Sequence, residues 1–355
     1  MSFWAPAATI DDAHYIDFVE SLKLFSMRKL EQHVRAFYSH KEKEFEKRSG
    51  RKPETYQEVE ELVGQSPVNR TREFLDRWTQ DQMWERIRHT YESQADKLIE
   101  ELEDYQSKGP GSIELYPEIE LPDYYAGQDF HLMPGNYDYD DLMGYVYDYG
   151  VKVFFFGVND DGKTQRLLIQ KATKLVNRKI ERAMDIGCAI GQDTLPIKEI
   201  CPHAEVFGLD LAAPMLKFAH KRAVERGIDV NFVQRLAEDT KFPDEHFDLI
   251  FSMQLFHELD IPAMNAIMKE GHRILRPGGV FVIADIPRTV NITPYRRWLR
   301  EWQVHNNNEP YMTTYTDSDI PQMLENAGFQ NVREEMAYEP VPGGLFQIYF
   351  QIGER

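Results

Sequence analysis

The run Ala183-Met184-Asp185-Ile186-Gly187-Cys188-Ala189-Ile190-Gly191-Gln192-Asp193 has the residue types of a ligand-binding turn. A short apolar strand stops at Asp185, and Gly187 and Gly191 let the backbone turn tightly where a ligand must come close. A helix starting at Gln192 would turn free N–H groups and a positive dipole end toward a bound carboxylate or other anion. A second apolar run, Glu205-Val206-Phe207-Gly208-Leu209, ends in Asp210. A carboxylate at the tip of the second strand holds ribose hydroxyls in doubly wound nucleotide-binding folds. His257 and Glu258 follow a further apolar run, Phe247 to Ser252, at the edge where such sheets bind ligands. A histidine there can take a proton from an incoming hydroxyl or amine near neutral pH. The plainer alternative is a loop histidine bonded to backbone. Glu258 is placed to orient His257, or only to complement a helix dipole. Cys188 reads as a small packing residue, because no cation lies nearby in sequence to stabilise a thiolate.

The elements that must position these residues alternate in type. After Asp210, Pro214 opens a helix with apolar Met215, Phe218, Ala219 and Ala223, closed by Gly227. Val230 to Val233 and Phe247 to Ser252 are strands, a helix runs from about Pro262 to Leu275, and Arg276-Pro277-Gly278-Gly279 feeds a strand ending at Asp285. Strands alternating with helices predict an α/β, Rossmann-like doubly wound, mostly parallel sheet with right-handed crossovers.

These residues resemble the class I S-adenosylmethionine-dependent methyltransferases, of the Methyltransf_11 or UbiE-like type. The resemblance rests on the Asp185-x-Gly187-Cys188-x-x-Gly191 loop, Asp210 with Pro214-Met215-Leu216 behind it, and Ala237-Glu238-Asp239 followed by Phe242-Pro243-Asp244. It continues through Phe247-Asp248-Leu249-Ile250, Phe256-His257-Glu258-Leu259, Arg273 to Gly279, and Ala327-Gly328-Phe329, so that it covers about residues 175 to 353. It implies S-adenosyl-L-methionine (SAM) as cofactor. Asp185, Gly187, Cys188, Ala189 and Gly191 would lie against its methionine moiety, with Ser252 part of the same binding set. Asp210 would take the ribose hydroxyls, Leu211 and Met215 would pack on adenine, and Ala237 would offer its N–H to the ring with Glu238 beside it. Two positions depart from the pattern: the middle glycine of the first motif is Ala189, and the acid expected before Ala237 is Leu236. Either Glu238 or Asp239 supplies the missing bond, or adenine is held by packing.

The chain has 355 residues, 42% of them hydrophobic, with a net charge of −18. That length allows two domains. The acidic balance disfavours nucleic-acid substrates, whose phosphates need clustered Lys and Arg. No apolar run reaches the roughly 18–20 residues of a membrane helix, and the start Met1 to Pro6 lacks the pattern of a secretory signal. Two cysteines offer no disulfide framework, which fits a reducing cytoplasm, and no Cys/His group has metal-ligand spacing, so no metal is expected.

Three segments follow from composition: an N-terminal helical domain over 1–110, a Tyr-rich connecting or lid segment over 111–174, and the SAM-binding domain over 175–355. Ile16, Val19, Leu22, Leu24 and Phe25 fall near helical spacing, as do Phe74, Leu75, Trp78, Trp84 and Ile87. Lys41 to Arg48 mixes signs as a solvated face does, and Ser107 to Ser112 is a break. Eight of the chain's 18 tyrosines lie between Tyr116 and Tyr149. Tyrosine suits a lid, since its ring buries area while its hydroxyl keeps a polar partner; it suits an aromatic seam between domains equally. His131, inside this segment, is a second catalytic candidate. Tyr137, Tyr145, Arg288 and Tyr295 are the expected substrate contacts, the last two in a basic, aromatic stretch running to Arg300. The expectation is a methyltransferase acting on an oxygen or nitrogen of a small molecule. The same fold would also serve carbon, sulfur or a protein side chain. A non-catalytic SAM-binding module is the rival outside enzymology. The helical half is also a candidate homodimer interface.

Overall fold

The computed structural model describes residues 8–157, 162–339 and 347–355. The start of the chain examined for a leader, Met1 to Pro6, lies outside the described residues. Eight strands form one sheet: β1 (Ser112–Glu114), β2 (Arg182–Ile186), β3 (Glu205–Asp210), β4 (Asn231–Gln234), β5 (Phe247–Met253), β6 (Leu275–Asp285), β7 (Gln330–Tyr338) and β8 (Ile348–Glu354). Their order is β1-β4-β3-β2-β5-β6-β8-β7. All pairs from β1 to β6 are parallel, while β8 runs antiparallel to both β6 and β7. The inner strands are apolar on both faces because helices cover both faces, and six of the seven β5 residues are buried. The order reverses between β2 and β5, which opens a crevice beyond the carboxyl ends of the strands. Asp210 ends β3, Asp285 ends β6, and Asp185 stands one residue from the end of β2. Three carboxylates therefore meet at one edge.

The N-terminal part is helical, as the spacing predicts: Ile10–Phe25, Glu31–Ser49, Tyr56–Val63, Pro67–Glu92 and Ala95–Tyr105, with a π-turn over Ser26–Leu30. Thr9 with Asp12, and Thr55 with Glu58, form capping boxes at two of the starts. Ile16, Val19, Trp84 and Ile87 are buried, but Phe25 and Phe74 are exposed. Helical spacing alone therefore misplaced two of the apolar positions. The strand β1 had no signal in the sequence. It has three residues, and Gly111 before it passes so close to Val230 that a Cβ would stand 2.2 Å from the carbonyl oxygen.

The helical part does not have a core of its own. One buried cluster joins Ile16, Met83, Trp84 and Ile87 to Tyr145, Val146 and Tyr149 of helix Met143–Phe154. The same cluster includes Ile190, Met215 and Phe218 from beside the sheet. Two glycines of that helix permit close approach: a Cβ on Gly144 would stand 2.3 Å from Phe218 Cβ, and one on Gly150 2.2 Å from the Trp84 ring.

Candidate active site

One cavity of about 690 Å³ lies at the carboxyl edge of the sheet, within the size range of small-molecule sites. At one end its wall holds Gly187, Cys188, Ala189, Asp210, Leu211, Met215 and Ala237; in the middle come His131, Tyr137, His257 and Glu258. The far end is lined by Phe154, Phe155, Ile292, Leu299, Arg296 and Arg300. Lys23, Gln80 and Trp84 reach the wall from the helical half.

The first motif is built as its residue types require. Gly187 and Gly191 have φ of +72° and +73°, and a Cβ on Gly187 would come within 2.9 Å of Leu255. Ala189 takes φ of +42°, a conformation that L-residues seldom adopt, and its N–H donates to Asp210 Oδ2 at 2.8 Å. Asp210 Oδ1 accepts from the Ala212 N–H at 2.9 Å. These two bonds fix the carboxylate at the mouth of the loop. Burial raises the Asp210 pKa to about 6 despite those bonds. Asp185 is buried behind the wall, where it accepts from Thr194 Oγ1 at 2.6 Å, and burial lifts it to about 7. Asp185, Gly191, Glu238 and Ser252 do not touch the cavity; they shape the loop and strands beneath it. Glu238 accepts from Tyr124 Oη at 2.7 Å.

The helix after the loop begins at Thr194, not at Gln192, and runs only to Ile200. Residues between Gly191 and Thr194 form a turn that brings Asp193 onto the wall; it ends the run singled out in the sequence, where it carries no role. Asp193 Oδ1 has no hydrogen-bond partner, and burial drives its pKa well up. A half-buried carboxylate with one oxygen unpartnered suits the ammonium of an amino acid. Cys188 is buried and its thiol is pushed well up by burial, so it is no ready nucleophile.

His257 sits in a short turn after β5, its Nδ1 2.7 Å from Asp285 Oδ1. Asp285, not Glu258, orients it. Burial alone would depress the His257 pKa, but the Asp285 carboxylate outweighs burial and sets it at about 9. Glu258 turns instead to His131 Nε2 at 2.9 Å and accepts from Tyr137 Oη at 2.8 Å. His131 Nδ1 meets Glu309, which is 4% exposed. With a carboxylate on each ring nitrogen, both nitrogens donate and His131 is an imidazolium. Burial opposes that charge, and Glu309 and Glu258 overcome it, so the pKa is well above the usual value. His131 itself has φ of +58°, and its carbonyl oxygen accepts from Gln80 Nε2 at 3.0 Å and Trp84 Nε1 at 2.9 Å.

Of the four expected substrate contacts, only Tyr137 lines the cavity. Tyr145 is turned into the seam, its hydroxyl donating to Glu101 and its ring edge-on to Phe218. Tyr295 stacks on Tyr38 at 4.7 Å, and Arg288 pairs with Glu334 at 2.7 Å and Asp319 at 3.1 Å. Their sequence neighbours Arg296 and Arg300 take the wall positions instead, along with Tyr124, Tyr125 and Tyr147. On helix Pro294–Asn306 adjacent residues part company, Tyr295 facing away from the cavity and Arg296 lining it, which composition does not resolve.

Residues 183–279 match the family described as the methyltransferase domain. The chain is 28% identical over 183 residues to an uncharacterized methyltransferase of Synechocystis sp., covering 47% of this chain and 74% of that protein. It is 34% identical over 124 residues to a demethylmenaquinone methyltransferase of Thermus thermophilus, covering 34% of this chain and 51% of that one. The chain thus spans only about half the length of the Thermus relative. A solved structure of a putative O-methyltransferase from Nostoc punctiforme aligns over 97% of this chain and 96% of its own, with a TM-score of 0.50 at 15% identity, a likeness of fold. Residues 183–279 thus carry a methyltransferase domain, of the class I, S-adenosylmethionine-dependent kind, with SAM as its cofactor.

Proposed function

We propose that this protein transfers the methyl group of SAM to an oxygen or nitrogen of a small molecule seated between the sheet and the helical half. The observation that carries this reading is the continuity of one cavity from the Asp210 loop to the His257 cluster. When bound, SAM supplies a methyl group already activated on a sulfonium. The chain's residues have to hold the adenosyl and amino-acid ends, place the acceptor in line, and handle its proton. Asp210, set by the Ala189 and Ala212 N–H groups, holds the ribose hydroxyls; Leu211, Met215 and Ala237 flank the base. Asp193 faces the amino group. His257, with Nδ1 fixed on Asp285, turns Nε2 to the acceptor; because Asp285 holds its pKa at about 9, it takes the acceptor's proton only in its neutral form, and turnover rises with pH toward that value.

The small-molecule acceptor is supported by the volume of the cavity and by Phe154, Phe155, Ile292 and Leu299, which line its far end beside Arg296 and Arg300. The net charge of −18 supports an acceptor other than nucleic acid. No helix among the described residues is long and apolar enough to cross a membrane. A cytoplasmic site of action and a homodimer formed through the helical half belong to the same proposal. The test is calorimetry with SAM and its demethylated product, S-adenosylhomocysteine (SAH), followed by labelled SAM with fractionated extracts. We expect SAH to bind the parent, Asp210→Ala to bind at least tenfold more weakly, and label to enter a low-mass fraction. Tight SAM binding with no labelled acceptor in any fraction would leave a binding module in place of an enzyme.

A further inference from the structure

His131 and the pair His257-Glu258 are far apart in sequence, so ligand spacing could not reveal them together. In the fold each offers one ligand atom, and these three atoms lie within 4.8 Å of one another. We propose that His131, His257 and Glu258 form a site for one divalent transition-metal ion at the acceptor end of the cavity.

The first argument is geometric. Around an ion held at roughly 2.0–2.2 Å by nitrogen and oxygen, ligand atoms stand about 3–4 Å apart. His131 Nε2 and Glu258 Oε1 are already 2.9 Å apart, sharing a proton. The ion replaces that proton and the one on His257 Nε2, both of which leave to solvent, and His257 closes by about 1 Å to complete the set.

The second argument is the support behind each ligand. Metal-binding histidines usually donate their other ring N–H to a carboxylate, which fixes the ring and its tautomer. Here that arrangement occurs twice. His257 Nδ1 is on Asp285, which is fully buried, and His131 Nδ1 is on Glu309, which is 4% exposed. Tyr137 Oη fixes the third ligand, Glu258. His257 Nε2 has no hydrogen-bond partner among the described residues. Two buried carboxylates have an evident use as supports of metal ligands, and burying them otherwise costs free energy. The left-handed backbone of His131, clamped through its carbonyl by Gln80 and Trp84, is the kind of strain that persists where a side chain must be aimed.

Two imidazoles and one carboxylate select a first-row transition ion over Mg²⁺ or Ca²⁺, which prefer all-oxygen ligands. The three ligands line the cavity, so the open coordination positions face the acceptor. The inference goes beyond the methyl-transfer reading and leans on it only for what would occupy those positions. In the loaded protein the three side chains act on the acceptor through the ion.

The test uses the full chain stripped of metal and titrated with Co²⁺, read by visible absorption. We expect one equivalent to bind per chain and to be displaced by Zn²⁺ but not by Mg²⁺. His131→Ala and His257→Ala should weaken Co²⁺ at least about 100-fold, and Asp285→Asn about 10- to 100-fold. SAH calorimetry on each variant reports folding. If the alanine variants lose SAH as well, Glu258→Gln decides, since it keeps the shape and removes the charge. Absence of saturable Co²⁺ binding in the parent, displacement by Mg²⁺, or a parent-like affinity in Glu258→Gln would overturn the proposal. Parent protein that takes up Co²⁺ yet ignores SAH would sink the methyl-transfer reading and leave this site standing.

Discussion

At the scale of single residues, burial decides what Asp210 and Lys23 do. In the proposed SAM site Asp210 would have to be ionised to accept both ribose hydroxyls while holding two backbone N–H groups, and burial has raised its pKa to about 6. SAH affinity should therefore be level above that pH and fall as the carboxylate protonates, by up to about tenfold per pH unit below it. Asp210→Asn should bind weakly with no such slope; calorimetry from pH 5 to 8 checks both. Lys23 is a case of burial acting on a cation. It is 8% exposed, its Nζ donates to Gln80 at 2.6 Å, and among the described residues no carboxylate stands within ion-pair distance. Burial lowers its pKa to about 8, only partly offset by Asp76. The unfolded chain then binds more protons between about pH 8 and 10.5, so the parent gains stability as pH rises through that window. Lys23→Met removes the buried charge. It should stabilise the protein by about 1–3 kcal/mol below pH 8, and the gain should fade by pH 10.5. Urea unfolding at several pH values measures it.

At the scale of elements, what was legible in the sequence was local. The Asp185 to Gly191 turn, Asp210 at its strand tip, the helix opened by Pro214 and closed by Gly227, and the alternation of strands with helices are all written in adjacent residues. What the sequence left dark depends on meetings between distant segments. Asp285 was readable as a strand end but not as the partner of His257, and Glu309 as the partner of His131 carried no signal at all. The edge strand β1 is too short for a period, and nothing in the sequence separates Tyr137, which lines the cavity, from Tyr145, which packs on Phe218. Gly144 marks one such meeting. On helix Met143–Phe154 it faces Phe218 and Pro214 of helix Ala213–Arg226, and an added Cβ would lie 2.3 Å and 2.8 Å from their atoms. Gly144→Ala must push the helices apart despite the better helix propensity of alanine. It should destabilise by about 1–3 kcal/mol, a lowered melting temperature by circular dichroism.

At the scale of the whole molecule, the helical half and the sheet share a buried cluster, and this determines how the chain can be divided. Met83, Trp84 and Ile87 lie in the same apolar group as Ile190, Met215 and Phe218. Gln80 and Trp84 also clamp the His131 carbonyl. A chain beginning at residue 111 would keep every cofactor-lining residue named above but lose the clamp and expose that apolar group. If the helices were a detachable cap, such a chain would fold and bind SAH as the parent does. Sharing a core predicts otherwise: the shortened chain should bind an apolar dye strongly, lose cooperative unfolding, and retain SAH at least tenfold more weakly. The intact chain should instead melt in one transition, shifted upward by SAH; saturation at about 100 times the dissociation constant adds roughly 2.7 kcal/mol. Because Met215 both lines the cavity and belongs to the shared cluster, loss of the helices should reach the proposed SAM site directly, before any acceptor is considered.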